Sequence, residues 1–368
     1  MHILLIKTSS MGDVVHNLPV VADICKAFPG ASIDWIVEEA FAPIARLHPK
    51  VRHVIPVALR RWRRRPLHPS TRKAFAELRR WLRSTRYDAV IDTQGLLKSA
   101  WIAWMANGVR HGLNWRSSRE PLRLFYDRVH EVPWTLHAVE RNRMLAGKAL
   151  GFDPAGPPVF GIAASPANGV TPQLATAEKK IAGPYSVFLH ATSAARKEWP
   201  ESHWVTLGNQ LKSRGLSCVL PFGTPHEQAR SQRLAAQIAG SHVPPPLGLD
   251  TVSRLLSRAR FVVGVDTGLA HLSAALATPT VAAQTATPLP LPIPPAPADV
   301  ATPASDGGRS QLASQTEPPN GIPAAAPQTA PHHEVALPPQ TPAATPVTVL
   351  PPLPRSQVAT GGIQPAAP

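Results

Sequence analysis

The chain alternates short apolar runs with helix-length segments, and this rhythm restricts the fold more than any other feature of its 368 residues. A run at Ile3 to Ile6 is followed by a helix around Pro19 to Phe28. A second run at Ile33 to Val37 comes next, and a third at Ala89 to Asp92 leads into a helix through Trp104. That order implies a parallel sheet whose strands are joined by crossover helices. Pro19 would break a helix running from Gly12 but suits the first turn of one that starts beside it. Residues 8–18 therefore read as a loop at the carboxyl end of strand one, where open α/β sheets bind ligands.

Residues 153–184 are rich in Pro, Gly and Ala without a sustained period and read as a connection. A second alternation follows: strand Tyr185 to His190, helix Glu201 to Lys212, strand Cys218 to Phe222, helix Glu227 to Ile238, strand Phe261 to Asp266 and helix Leu269 to Leu276. The expected architecture is α/β, with two doubly wound Rossmann-like domains, 1–152 and 185–282, facing a cleft. At Ala283 the character changes. About half of the 43 prolines lie beyond it, with no Phe, Trp, Tyr or Lys. Such a stretch cannot bury enough apolar surface to offset its ordering entropy, so 283–368 reads as a disordered low-complexity tail. Because the change falls within the strand Thr280-Val281-Ala282, a natural tail and a shifted reading frame both remain open, and the second domain reads as incomplete.

Charge narrows the partners. The formal net charge of +15 calls for an anionic one: nucleic acid, a membrane surface or a phosphorylated substrate. Cys25 and Cys218 stand far apart among apolar neighbours, which gives neither a disulfide framework nor zinc-ligand spacing and points to buried thiols in a reducing compartment. The apolar run at the N-terminus is too short for a signal-peptide core, and no segment is long enough to span a bilayer.

Four segments can carry chemistry. Lys7-Thr8-Ser9-Ser10-Met11-Gly12-Asp13 ends the first strand without the glycine spacing of a nucleotide loop; Asp13 there is either a general base or a turn-capping carboxylate. His190 to Pro200 offers Thr192, Ser193, Arg196 and Lys197 just before a helix, a set that can hold a diphosphate or simply be solvated. Gly264 to His271 runs from a strand straight into a helix through Asp266, Thr267 and Gly268, exposing amides, with His271 one turn on. Beside a diphosphate a buried Asp266 would be repelled, so its expected role is to accept hydrogen bonds from sugar hydroxyls or loop amides. Arg60, Arg61, Trp62, Arg63, Arg64 and Arg65, followed by Arg72, Lys73, Arg79, Arg80, Arg83 and Arg86, form a basic stretch for an anionic surface or a solvated face; no recognisable nucleic-acid-binding motif accompanies it.

Seven ordered blocks carry a resemblance: Lys7 to Pro19, Val54 to Arg63, Tyr87 to Ala100, Arg119-Glu120-Pro121, His137 to Arg141, His190-Ala191-Thr192 and Val265 to His271. Over residues 1–281 the chain resembles the lipopolysaccharide heptosyltransferase I family of GT-B glycosyltransferases. The resemblance implies an N-terminal acceptor domain and a C-terminal nucleotide-sugar domain. It implies an inverting, metal-free transfer of L-glycero-D-manno-heptose from ADP-heptose, a substrate rather than a cofactor, to the inner Kdo of Kdo2-lipid A. It implies a monomer peripheral on the cytoplasmic face of the inner membrane, with no nucleic-acid partner. Carried over by residue, Asp13 is the base; Lys197, Thr192 and Ser193 hold the diphosphate and Glu227 the ribose. Asp266, Thr267, Gly268 and His271 line the heptose and phosphate pocket. Ser10, Gly12, Arg60, Arg61, Arg63, Arg64, Lys98 and Arg119 face the acceptor. The departure from the family after residue 281 leaves a second possibility, an inactive basic surface-binding protein with a vestigial donor domain.

Overall fold

The computed structural model describes residues 1–163, 181, 183–192 and 198–283. Six strands, β1 (His2–Ile6), β2 (Ser32–Glu38), β3 (Val51–Val57), β4 (Arg86–Asp92), β5 (Asn107–Leu113) and β6 (Arg128–His130), form one sheet in the order β3-β2-β1-β4-β5-β6. Every pairing in it is parallel. Between them run α1 (Met11–Val15), α2 (Leu18–Ala27), α3 (Ala42–Arg46), α4 (Leu59–Arg64), α5 (Pro69–Ser84) and α6 (Leu97–Met105), and α7 (Ala138–Leu150) follows β6. A second parallel sheet, β10-β9-β7-β8, comprises β7 (Tyr185–Leu189), β8 (Ser217–Val219), β9 (Phe261–Gly264) and β10 (Thr280–Ala282). Its helices are α8 (Glu201–Ser213), α9 (Pro225–Gln237), α10 (Leu249–Arg258) and α11 (Gly268–Ala275).

The unalternating run of β1 follows from burial on both faces. Ile3 and Leu5 pack with Val20, Val21 and Ile24 of α2, while Leu4 and Ile6 pack with Leu78 and Leu82 of α5 and Ile102 of α6. The period of two along a strand makes that division. The first of these clusters continues without a break into the second sheet through Val187, Leu189, Leu255 and Leu272. A third, built on Phe188, Trp204, Leu234 and Ile238, fills the other face of the second sheet. The two sheets thus belong to one compact unit.

Three departures from the expected elements have local causes. Residues 8–18 are not all loop: Ser10 begins the single-turn helix α1, with Asp13 at its third position accepting from the Ser10 amide at 2.6 Å. Pro19 then lies in the first turn of α2, as expected. The basic stretch is two helices, since Pro66 and Pro69 interrupt it and Pro69 opens α5. Strand β5 has little apolar signal because two of its residues are glycines that other groups require. A Cβ on Gly112 would stand 2.3 Å from the Tyr126 ring, and one on Gly108 would stand 2.5 Å from the Tyr87 carbonyl oxygen. The chain does continue as a strand at Thr280–Ala282, beside β9. The expected disorder of the tail, and the positions of Ser193, Arg196 and Lys197, lie outside the described residues. No helix among the described residues is long and apolar enough to cross a membrane.

Candidate functional site

In the first sheet the chain order reverses between β1 and β4, so the loops that leave these two neighbouring strands diverge and open a crevice at their carboxyl ends. Buried polar groups hold the crevice walls. The Gln94 side-chain oxygen accepts from the amides of Thr8 and Ser9, each at 2.9 Å. Asp92, fully buried, accepts from the amides of Gln94 and Gly95 at 2.9 and 3.1 Å and from the Tyr126 hydroxyl at 2.7 Å. Burial pushes the Asp92 carboxyl above its ordinary value, and these donors act against that shift. Lys7 is buried too, donating to the Thr93 carbonyl at 2.8 Å and to Asn142 at 3.3 Å. Burial lowers its ammonium, opposed by the charges of Asp13 and Asp92.

Asp13 stands where this crevice meets the second sheet. Ser10 donates to its Oδ2 twice, from the amide at 2.6 Å and from the hydroxyl at 2.8 Å. Among the described residues no hydrogen bond is made to Oδ1, so one carboxylate oxygen is fixed by Ser10 and the other is not. The capping and the catalytic readings of Asp13 therefore describe the same side chain.

Across the crevice, α11 lies directly on α1. Gly268 is so close that a Cβ on it would stand 2.7 Å from Met11 Cβ, and a Cβ on Gly12 would stand 3.3 Å from His271. Thr267 caps α11 by accepting from the Ala270 amide at 3.3 Å. The His271 ring sits 4.6 Å from that of His16, which lies 5.1 Å from that of His137. Burial first, and the two neighbouring imidazoles next, bring His16 down to about 4. Asp266 is exposed rather than buried, with Oδ1 3.5 Å from His271 Nε2. Glu227 accepts from the Gly223 amide at 2.7 Å at the start of α9.

Three cavities meet at the Ser9–Asp13 loop. The first, of about 800 Å³, lies between the sheets and is lined by Ser10, Gly12, Asp13, His16, Arg60, Thr192, Glu227, Asp266, Thr267, Gly268 and His271. Another, of about 460 Å³, carries Lys7, Ser9, Ser10, Asp13, Arg119, Trp134 and Arg141. The third, of about 640 Å³, carries Ser9, Glu38, Arg60, Arg63, Arg72, Phe75, Lys98 and Trp101. Lys98 donates to Ser9 Oγ at 2.8 Å, and its ammonium is lowered chiefly by burial. The Arg141 guanidinium lies over Trp134 at 3.7 Å with Arg119 over the same ring at 5.9 Å, and neither is ion-paired among the described residues.

The structure thus brings Thr192, Glu227, Asp266, Thr267, Gly268 and His271 to one wall, opposite Asp13. It divides the expected acceptor set. Arg60, Arg63 and Lys98 share one cavity, Arg119 joins Ser10 in another, and Gly12 faces His271 in the interdomain space. Arg61 turns away to pair with Glu39 at 3.2 Å, and Arg64 lines none of the three, because a helix cannot aim successive arginines at one place. Lys7, His16, Trp134 and Arg141 were not singled out from sequence, although three of them lie inside the ordered blocks; a lone lysine or histidine has no local mark of its neighbours.

The chain is similar to known proteins in sequence and in fold. Residues 75–298 match the sequence model of glycosyltransferase family 9 (heptosyltransferase). Lipopolysaccharide heptosyltransferase 1 of Escherichia coli K12 is 47% identical over 287 residues, covering 76% of this chain and 86% of that protein. Among solved structures, E. coli heptosyltransferase WaaC with ADP superposes with a TM-score of 0.69 at 44% identity, covering 76% of this chain and 86% of that one. The same enzyme with ADP-2-deoxy-2-fluoro heptose gives 0.69 at 44%, covering 76% and 87%.

Proposed function

Because the chain belongs to glycosyltransferase family 9, the heptosyltransferases, with an α/β fold of the GT-B kind, we propose that it transfers L-glycero-D-manno-heptose from ADP-heptose to the inner Kdo of Kdo2-lipid A, with inversion at the anomeric carbon. The observation that carries this reading is the position of Asp13, which lines the interdomain cavity with Oδ2 held by Ser10 and whose loop also walls the two basic cavities. The donor occupies the interdomain space, bound by residues of 185–282, and the acceptor enters over residues of 1–152.

Chemically, a Kdo hydroxyl attacks the heptose anomeric carbon from the face opposite the diphosphate. Asp13 takes the hydroxyl proton, which an alcohol cannot lose unaided near neutral pH. The leaving ADP needs positive charge, not a proton. Thr192 and the amide end of α11, which line the same cavity, hold the diphosphate in this reading, together with Lys197 and Ser193. Glu227 accepts from the ribose hydroxyls. Asp266 and His271 address the heptose, the exposure of Asp266 keeping its charge solvated beside the diphosphate. Lys98, Arg60 and Arg63 in one cavity and Arg119 in another meet the carboxylates and phosphates of the acceptor. No metal is assigned to any step. The enzyme works as a monomer held on the cytoplasmic face of the inner membrane.

The test is substitution of the base. Asp13→Ala should lower kcat by about 10²- to 10⁴-fold while ADP-heptose still binds, read by calorimetry. Lys197→Ala should instead weaken ADP binding together with turnover. Undiminished transfer by Asp13→Ala would leave the carboxylate as a helix cap alone.

A further inference from the structure

Helix α6 buries Ser99, Ala100, Ile102 and Ala103 against the first sheet and leaves a face of another kind outside. Leu97, Trp101 and Trp104, spaced i, i+4 and i+7, form one stripe and remain 54%, 41% and 51% exposed. Beside it the short 3-10 turn Arg123–Phe125 presents Leu124, 92% exposed. Phe125, Leu97 and Trp101 line a groove of about 750 Å³ between the two elements. On the opposite flank the Phe75 ring of α5 stacks on Trp101, centroids 4.9 Å apart and planes 5° from parallel. From there α5 lays out Arg72, Arg79 and Arg83, exposed, one helical face apart from its buried Leu78 and Leu82, and not ion-paired among the described residues.

We infer that this face, Leu97, Trp101 and Trp104 of α6 with Leu124 beside them, inserts into the interface of an anionic bilayer while the arginines of α5 rest on its headgroups. An apolar stripe edged with indole rings suits a boundary that is apolar on one side and wet on the other. A row of unpaired cations along its edge matches a negative surface potential. Continuity with the site favours a membrane over an acidic protein. Lys98 and Trp101 line both the apolar groove and the basic cavity that holds Ser9, Arg60 and Arg63. An acceptor whose sugar sits in that cavity therefore has its lipid leave directly over α6. This rests on the lipid-linked acceptor of the proposed function.

The test uses the full chain and vesicles of phosphatidylethanolamine with phosphatidylglycerol. The double variant Trp104→Ser, Leu124→Ser touches neither the core nor the three cavities, so its thermal unfolding should match wild type. Its vesicle affinity should fall by about tenfold or more, the scale set by two large apolar side chains returned to water. Phosphatidylglycerol brominated near the glycerol end of its acyl chains should quench wild-type tryptophan fluorescence more than that of Trp104→Ser. Transfer to a deacylated acceptor in solution should be the same for wild type and the double variant. Equal vesicle affinity, or equal quenching, would overturn the inference even if soluble transfer proceeds; failure of wild type to transfer to the deacylated acceptor would instead sink the proposed function.

Discussion

Gly268→Ala offers the sharpest test of how the two sheets meet. Gly268 opens α11, and a Cβ built there stands 2.7 Å from both Cβ and Cγ of Met11 and 2.8 Å from its Sδ. Apolar carbons rest about 3.5–4.0 Å apart, so α11 must withdraw from α1 by about 1 Å. Turning the Met11 side chain cannot avoid this, because its Cβ is fixed to the backbone of α1. Overpacking of this kind costs about 1–3 kcal/mol. The same movement carries Asp266 and His271 away from Asp13, and a displacement of about 1 Å costs on the order of 10²-fold in rate. Steady-state transfer from ADP-heptose should show kcat falling by about 10- to 10²-fold with ADP affinity nearly unchanged, since the amides of α11 remain. Met11→Gly in the same chain should restore part of the loss, giving a coupling of about 1 kcal/mol or more in a double-mutant cycle. Gly12→Ala, which meets His271 at 3.3 Å, should be milder. Wild-type kcat and stability in Gly268→Ala would show that α1 and α11 do not touch in the working enzyme.

Removing the Tyr126 hydroxyl as Phe takes one donor from the fully buried Asp92 and should cost about 1–3 kcal/mol in urea unfolding; an unchanged midpoint would deny the bond its role. Burial holds His48 and His190 at about 4, against 6.5 when free. Between those values the unfolded chain takes up protons that the folded chain refuses, so stability is full above about pH 6.5 and falls as pH drops toward 4. Urea titrations at pH 7 and pH 5 should differ by about 1–2 kcal/mol for each histidine, and His48→Gln should reduce the difference. Lys98→Ala should raise the acceptor KM more than Arg64→Ala, because only Lys98 lines a cavity at Ser9; equal effects would mean that the arginine helix acts as undirected charge. Saturating EDTA should leave transfer unchanged, and a loss restored by added divalent ion would require a metal in the diphosphate step.

What the sequence determined by itself was local. An apolar run such as Ile3 to Ile6 declares a strand buried on both faces, Pro19 declares the first turn of a helix, and Val265 to His271 declares a strand passing directly into a helix, because each depends on neighbours within a few residues. Asp13 and the segment from Asp266 to His271 stood out as candidates for the same reason, and the structure places them on one cavity. The tertiary structure alone decided what these groups face. It put Lys98 against Ser9, Lys7 against Asn142, Tyr126 on Asp92 and Met11 on Gly268, all pairs far apart in the chain. It also sorted the arginines, sending Arg60 and Arg63 to a cavity and Arg61 to Glu39, although the sequence shows them as one uniform run. Strands β3, β5 and β6 were not read from the sequence; β5, with two glycines, is held between β4 and β6 and against the Tyr126 ring, and the three-residue β6 is paired with β5, features that their own composition does not announce. Periodicity reports which side of an element is apolar; which polar groups converge on a crevice depends on how distant elements pack, and that information is not local in any part of the chain.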